Sequence, residues 1–396
     1  MNASTPFTLD HAREFVVCRD QFFSSAAADP ILNWCFPDLS RQAIAERTSA
    51  LNGTEDFQRA FVDPVSKKIL NETSLGLTIS GLDRLPKDRK FLFLSNHRCI
   101  VTDAALVSLN MLSGGRGTCK VCIGENLMEI PGVAELMLLV NGVVIKRSGS
   151  AREVFASAQH VATYLARQIA EQRYSVWLSQ RPGRTKDGDD RTDPAIIKML
   201  SLGCGKNRAD FENLHIVPVA ISYEFEPCAT DKVRETLMRR EHGHYVKTAG
   251  EDLAQMRSSL RAEKGRIHLA FGEEITLEAA PAEDIVQAIA AKVDQQMWQL
   301  YRIWPSNALA HAILHEQLDD ISTPYARTFM TRIDNQVSEL NAMGIASSTA
   351  RVALLQLYAQ PVINGLRARR VQAEEDRHPA NPELQSAGQV SAQGKS

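Results

Sequence analysis

Seven short apolar runs recur between residues 75 and 271, and their spacing most constrains the fold of this chain. They are LGLTIS (75–80), KFLFLS (90–95), CKVCI (119–123), GVVIKR (142–147), YSVWLS (174–179), HIVPVAIS (215–222) and GRIHLAF (265–271). Segments of helical period separate several of them, including TDAALVSLNML (102–112) and SAREVFASAQHVATYLARQIAEQ (150–172). A strand that is apolar without alternation is buried on both faces, which happens where helices cover both sides of a largely parallel sheet. The pattern therefore predicts an α/β domain over 74–280, with a mostly parallel mixed sheet flanked by helices. A hydrophobic content of 44% over 396 residues is enough to fill its core.

The flanks read differently. AREFVVCRDQFFSSAAA and DLSRQAIAERTSALNG carry apolar residues at helical intervals, which predicts an N-terminal helical cap over 1–73. AEDIVQAIAAKVDQQMWQLYRIW and SSTARVALLQLYAQPVINGLRARR predict a C-terminal helical region over 281–371. The rest, 372–396, is polar and rich in Ala, Gln, Ser, Pro and Gly, and is expected to stay disordered.

Charge and cysteine usage exclude several classes. A net charge of -2 supplies no basic field for nucleic acid. Residues 98–208 do hold more Arg and Lys than Asp and Glu, which points to a local anion site. The seven cysteines are scattered, and no signal peptide precedes them, so free thiols in a reducing compartment are expected. Cys119-Lys-Val-Cys122 lacks the second ligand pair of a zinc site and lies in a strand-like run. No apolar stretch reaches the ~20 residues of a spanning helix. IPGVAELMLLVNGVVI (130–145) is short and interrupted, and reads as a helix ending at Asn141-Gly142 followed by a strand.

The chemistry-bearing residues stand at strand ends. LFLSNHRCIVTDAAL (92–106) empties from an apolar strand into His97, with Asp103 beyond it. A histidine is a general base when a carboxylate fixes its tautomer and supports the imidazolium. Taken alone, the pair reads better as a capping aspartate and a solvated histidine. NGVVIKRSGSARE (141–153) puts Arg147 past another strand, and SVWLSQRPGRTKDGDDRTD (175–193) sets Arg181, Arg184 and Lys186 around Gly183. Guanidinium groups beside glycine suit a phosphate or carboxylate ligand. For the arginines taken singly, solvated surface loops paired with Asp187, Asp189, Asp190 and Asp193 are the better reading, with KDGDD as a solvated acidic loop. Pro218 inside HIVPVAIS argues for an edge or bulged strand.

Taken in order, SNHRCIVTD, NGVVIKR, RPGR and IVPV resemble the four blocks of the glycerophospholipid acyltransferase family, whose members include lysophosphatidate acyltransferases. KGRIHLAFGEEI (264–275) looks like the strand that closes that family's domain. Two departures stand out. Five residues separate His97 from Asp103 where the family has four, a spacing similar to a bacterial branch of the family. The loop must then bulge, or the helix start one residue later. Pro182 occupies the position of the third block's glutamate, which removes a carboxylate that helps hold the acceptor head.

The resemblance implies transfer of a fatty acyl group from a thioester, acyl-carrier protein or acyl-CoA, to a hydroxyl of a lysolipid, with 1-acyl-glycerol-3-phosphate as the leading acceptor. His97 would be the base and Asp103 its orienter. Arg147 and Arg184 would bind the anionic head with Gly183 allowing close approach, and Arg181 and Lys186 stand as lesser candidates. No cofactor or metal is expected, and no nucleic acid. A Cys99–His97 acyl-enzyme route ranks below direct transfer. The resemblance also implies a cytoplasmic location on the inner face of the membrane, with attachment through the helices bearing Phe15, Phe22, Phe23 and Trp34 or through 130–140, unless those residues are core. Two alternatives remain: an O-acyltransferase for an ornithine or glycine lyso-lipid, and a catalytically silent lipid- or acyl-carrier-binding protein.

Overall fold

Leu92 and Leu94 point to one side of the sheet, Phe91 and Phe93 to the other, and all four are sealed from solvent. That double-sided burial is visible in the computed structural model, which describes residues 8–130, 132–248, 250–277, 285–316 and 323–377. The seven apolar runs form β1 (Ser74–Ser80), β2 (Leu92–Ser95), β3 (Cys119–Gly124), β4 (Gly142–Ile145), β5 (Ser175–Ser179), β6 (Ile216–Tyr223) and β7 (Gly265–Phe271). They pair into one sheet in the order β1-β7-β6-β2-β5-β3-β4. Every pairing is parallel except β6 with β7. The sheet is thus mixed and mostly parallel, as the apolar runs predict.

One face packs on the helices Ala151–Ala170, Pro194–Cys204 and Ile285–Leu300, the other on Thr102–Ser113. The longest of these starts at a reciprocal cap: the Ser150 hydroxyl accepts from the Glu153 N–H, and the Glu153 carboxylate accepts from the Ser150 N–H. Short helices from Ala12 to Thr73 gather around Phe22, Phe57 and Phe61 and lean on Leu138 and Leu139 of the Val133–Leu139 helix. Pro324–Ala342 and Ser347–Arg377 form a C-terminal bundle with Ala229–His242, a helix that lies between β6 and β7.

Three expectations change here. Pro218 is not on an edge strand, because β6 lies between β2 and β7. Its register partner on β2 is Leu94, while the β7 ladder ends at Val219–Phe271, so only the Pro218 carbonyl is needed on that side, where it accepts from the Gly272 N–H. Phe15, Phe22 and Phe23 are core residues and present no membrane face. The last helix runs beyond residue 371 to Arg377, because AEEDR consists mainly of good helix formers; the remaining tail lies outside the described residues. No helix among the described residues is long and apolar enough to cross a membrane.

Candidate active site

Strands β2, β5 and β6 lie side by side and parallel, so the loops leaving their carboxyl ends meet at one end of the sheet. The loop after β2 carries His97. Its Nδ1 lies 2.9 Å from Asp103 Oδ2. Asp103 stands in the first turn of Thr102–Ser113 and is fully buried. The extra residue between them is absorbed by a bulge that wraps the carboxylate: the Arg98 N–H donates to Asp103 Oδ2 at 2.6 Å and the Cys99 N–H at 2.8 Å. The other oxygen accepts from Tyr223 Oη at 2.6 Å. Burial pushes the Asp103 carboxyl up, but the bonds from His97, Tyr223 and Cys99 outweigh it and leave it below its ordinary range. Burial also pushes the His97 imidazole down, against the pull of Asp103 and with help from Arg184 and Lys232. The ring is therefore held as a neutral base. With Nδ1 committed to Asp103, Nε2 is the nitrogen left for a substrate proton.

A second layer locks the loop. Thr185 N–H donates to the His97 carbonyl at 2.7 Å, and Gln180 N–H to the Ser95 carbonyl at 2.8 Å. Arg98 is fully buried between Asp190, at 2.6 Å, and Glu226, at 2.9 Å. Lys232 pairs with Glu226 and donates to the Arg98 carbonyl at 2.7 Å. Asp190 was expected in a solvated acidic loop; it is instead buried, because its carboxylate also accepts from Asn96 and Thr185.

His97 opens onto a cavity of about 900 Å³, within the size range of small-molecule sites. Arg147, Arg181, Gly183, Arg184 and Lys186 line the same cavity. The structure thus brings the six lining candidates together, with Asp103 behind the imidazole. They are not equivalent. Arg147 follows β4, and its guanidinium makes no hydrogen bond or ion pair among the described residues; burial lowers its affinity for the proton, with Glu125 opposing. Arg184 is 6% exposed; Nη2 donates to Gln255 Oε1 at 2.5 Å, and Nη1 is buried with no partner among the described residues. Such an orphaned donor beside the base suits an anionic ligand. Gly183 has φ +74°, a backbone only glycine adopts freely, and a Cβ there would meet nothing within 4 Å. Arg181 turns back to its own loop, 3.7 Å from Asp187 and 3.1 Å from the Asp189 carbonyl. Lys186 pairs with Glu235. Burial, then Arg184, pushes its ammonium down to about 8.

Much of the remaining lining is apolar. The N-terminal helices contribute Ile31, Trp34, Phe61 and Val65, and Thr102–Ser113 contributes Ala104 and Ala105. Cys99 is buried and is not among the lining residues, so its thiol does not open onto the cavity. Cys119 and Cys122 are buried free thiols pushed up to about 12 by burial. Among the described residues no cluster of His, Cys, Asp and Glu is placed to hold a metal ion.

Residues 76–222, the segment containing all four blocks, match the family model described as Acyltransferase. Over that segment the chain is similar to the acyltransferase family. A solved structure similar to it is that of the 1-acyl-sn-glycerophosphate (LPA) acyltransferase PlsC from Thermotoga maritima, at 15% identity and a TM-score of 0.37, covering 72% of this chain and 93% of that one. A comparison with curated proteins finds no match.

Sequence reasoning missed three residues of this site. Tyr223, at the end of β6, carried no signal beyond following an apolar run. Trp177 packs edge-on against His97, ring centroids 5.4 Å apart at 80°. Gln255 lies on Glu251–Arg261, after the family match has ended.

Proposed function

We propose that this acyltransferase moves a fatty acyl group from a thioester, acyl-carrier protein or acyl-CoA, to the hydroxyl of a lysolipid, with 1-acyl-glycerol-3-phosphate as the acceptor. The observation that carries the reading is the His97–Asp103 pair at 2.9 Å in a cavity lined both by arginines and by apolar residues of the N-terminal helices. His97 Nε2 takes the hydroxyl proton as the acceptor oxygen attacks the thioester carbonyl. The Nδ1–H stays with Asp103, which supports the imidazolium. The tetrahedral adduct then expels the thiolate, which takes the proton back from His97 and leaves as thiol. The acceptor oxygen is the nucleophile, so no acyl-enzyme is required. Arg147 and the free Nη1 of Arg184 hold the anionic head, and the apolar side takes the chain. An acceptor of this kind is met at a membrane surface, so the protein works as a peripheral enzyme there, on the cytoplasmic side.

The test is transfer from labelled acyl donor to purified acceptors by wild type and His97→Ala. Product with lysophosphatidate, lost by about 10²–10⁴-fold in the variant, is expected. Undiminished transfer by His97→Ala would remove the base assignment. Pro182 leaves no carboxylate beside Gly183, so an ornithine or glycine lyso-lipid belongs in the same assay; turnover with it alone would replace the acceptor and keep the chemistry.

A further inference from the structure

One anionic acceptor head does not account for the charge in this cavity. Eight arginine and lysine side chains line it against two carboxylates, Glu235 and Asp252. Glu235 is already paired with Lys186 and Arg239, and Asp252 with Lys247. Arg147 and Arg184 serve the acceptor. Arg257 and Arg261 remain. Both stand on the Glu251–Arg261 helix, one turn apart, and both are exposed. Neither makes a hydrogen bond or ion pair with the described residues. Like charges at this spacing repel along a helix, so the pair favours an anion held between them. Leu253, Met256 and Leu260 share the face that lines the cavity. The same helix supplies Gln255 to Arg184.

The exposure gradient orients a ligand. The side chain of His97 is 16% exposed at the floor, whereas Arg257 and Arg261 stand open at the rim. A thioester donor has that polarity. Its reacting carbonyl must reach the base, and its phosphate lies at the far end of a flexible pantetheine arm with apolar methyl groups between. We infer that Arg257 and Arg261 bind the phosphate of the donor's phosphopantetheine arm, with Leu253 and Leu260 against the arm. Guanidinium groups engage such a phosphate bidentately. The site serves acyl-CoA and acyl-carrier protein alike, because both contain this phosphate. The inference rests on the acyl-transfer reading.

The experiment compares acyl-4′-phosphopantetheine with acyl-pantetheine as donors, for wild type and for the double variant Arg257→Gln/Arg261→Gln. Direct binding of unacylated 4′-phosphopantetheine and pantetheine is measured in parallel. Wild type should show a donor KM about tenfold lower for the phosphorylated compound, and the double variant should lose that preference. An unchanged preference in the variant overturns the inference. So does an equal loss with both donors, or a rise in the KM for lysophosphatidate alone, which would give the two arginines to the acceptor. Binding of 4′-phosphopantetheine that the variant loses, in a chain that transfers no acyl group, keeps the phosphate site and sinks the transfer reading. Transfer without any phosphate preference does the reverse.

Discussion

Arg98 Nη2 lies 2.6 Å from Asp190 Oδ2, and both side chains are sealed from solvent. The same carboxylate accepts from Asn96 Nδ2 at 3.0 Å and Thr185 Oγ1 at 2.8 Å, so one buried acid ties the loop after β2 to the loop after β5. Removing one partner of a buried pair leaves an uncompensated charge. Asp190→Ala should therefore lower unfolding free energy by about 3–5 kcal/mol, read by denaturant titration. Asp190→Asn, which keeps one acceptor oxygen for Asn96 and can donate its amide to the Thr185 hydroxyl, should cost less. A wild-type midpoint for Asp190→Ala would mean that the network does not hold the loop.

Gln255 holds Arg184 through a single 2.5 Å contact, and Gln255 is itself fixed by donation to Glu251 at 2.9 Å. Gln255→Leu keeps the volume and removes the acceptor. The acceptor KM should rise about tenfold, with kcat nearly unchanged, because the base is untouched. Gln255→Glu keeps the acceptor for Arg184 but loses the donation to Glu251, so it should recover only part of the loss. A fall in kcat with constant KM would argue that Gln255 acts on His97 instead.

His97 must be neutral to accept a proton, and burial has already lowered its proton affinity. The acid limb of kcat/KM should thus fall below the ordinary imidazole value of about 6.5. Stability follows the same sign. The unfolded chain binds this proton more tightly than the folded one, so stability is full above about 6.5 and declines as pH falls toward the folded value. His97→Gln should abolish this part of the acid sensitivity in thermal melts. An acid limb above the ordinary value would contradict the burial argument.

Lys186 is pushed down to about 8. As pH rises through that value the cavity loses a cation, and the acceptor KM should climb. Lys186→Arg should delay the climb to higher pH. The sign for stability is opposite: between about 8 and about 10.4 the unfolded chain keeps a proton that the folded chain has released, so folding gains as pH rises. A KM flat through pH 9 would show that Lys186 is neutralised by Glu235 and contributes nothing to binding.

The strands were legible because burial on both faces leaves unbroken apolar runs, and a run such as LFLS has few other places to go. His97, Arg147 and Arg184 were legible because each follows closely on such a run, and Asp103 because it opens the helix that comes after His97. Asp190 was not: its letter reads the same in a solvated loop as under Arg98, and only the fold brings Asn96, Arg98 and Thr185 around it. Tyr223 was hidden because its apolar body continues the strand pattern while its hydroxyl does the orienting. Pro218 misled because the rule about proline concerns the missing N–H, and here the neighbouring ladder ends just where that donor would be used. Gln255, Arg257 and Arg261 lie beyond the matched segment, on a helix whose pattern carries no chemistry until it is seen against the cavity.

β6 and β7 are the one antiparallel pair, so the chain leaves and re-enters the sheet at the same end. Everything from Glu224 to Lys264 is therefore an enlarged hairpin loop hung above the reacting groups, with no crossover to close. Such a loop can be exchanged as a cassette between relatives while strand order and the His97–Asp103 pair stay as they are, provided Glu226 and Lys232 keep their hold on Arg98 and Ala229 and Val233 keep their seat on the C-terminal bundle. Substrate choice in this architecture is thereby separable from catalysis, and a chimera joined at the two strand ends is the natural unit for reprogramming it.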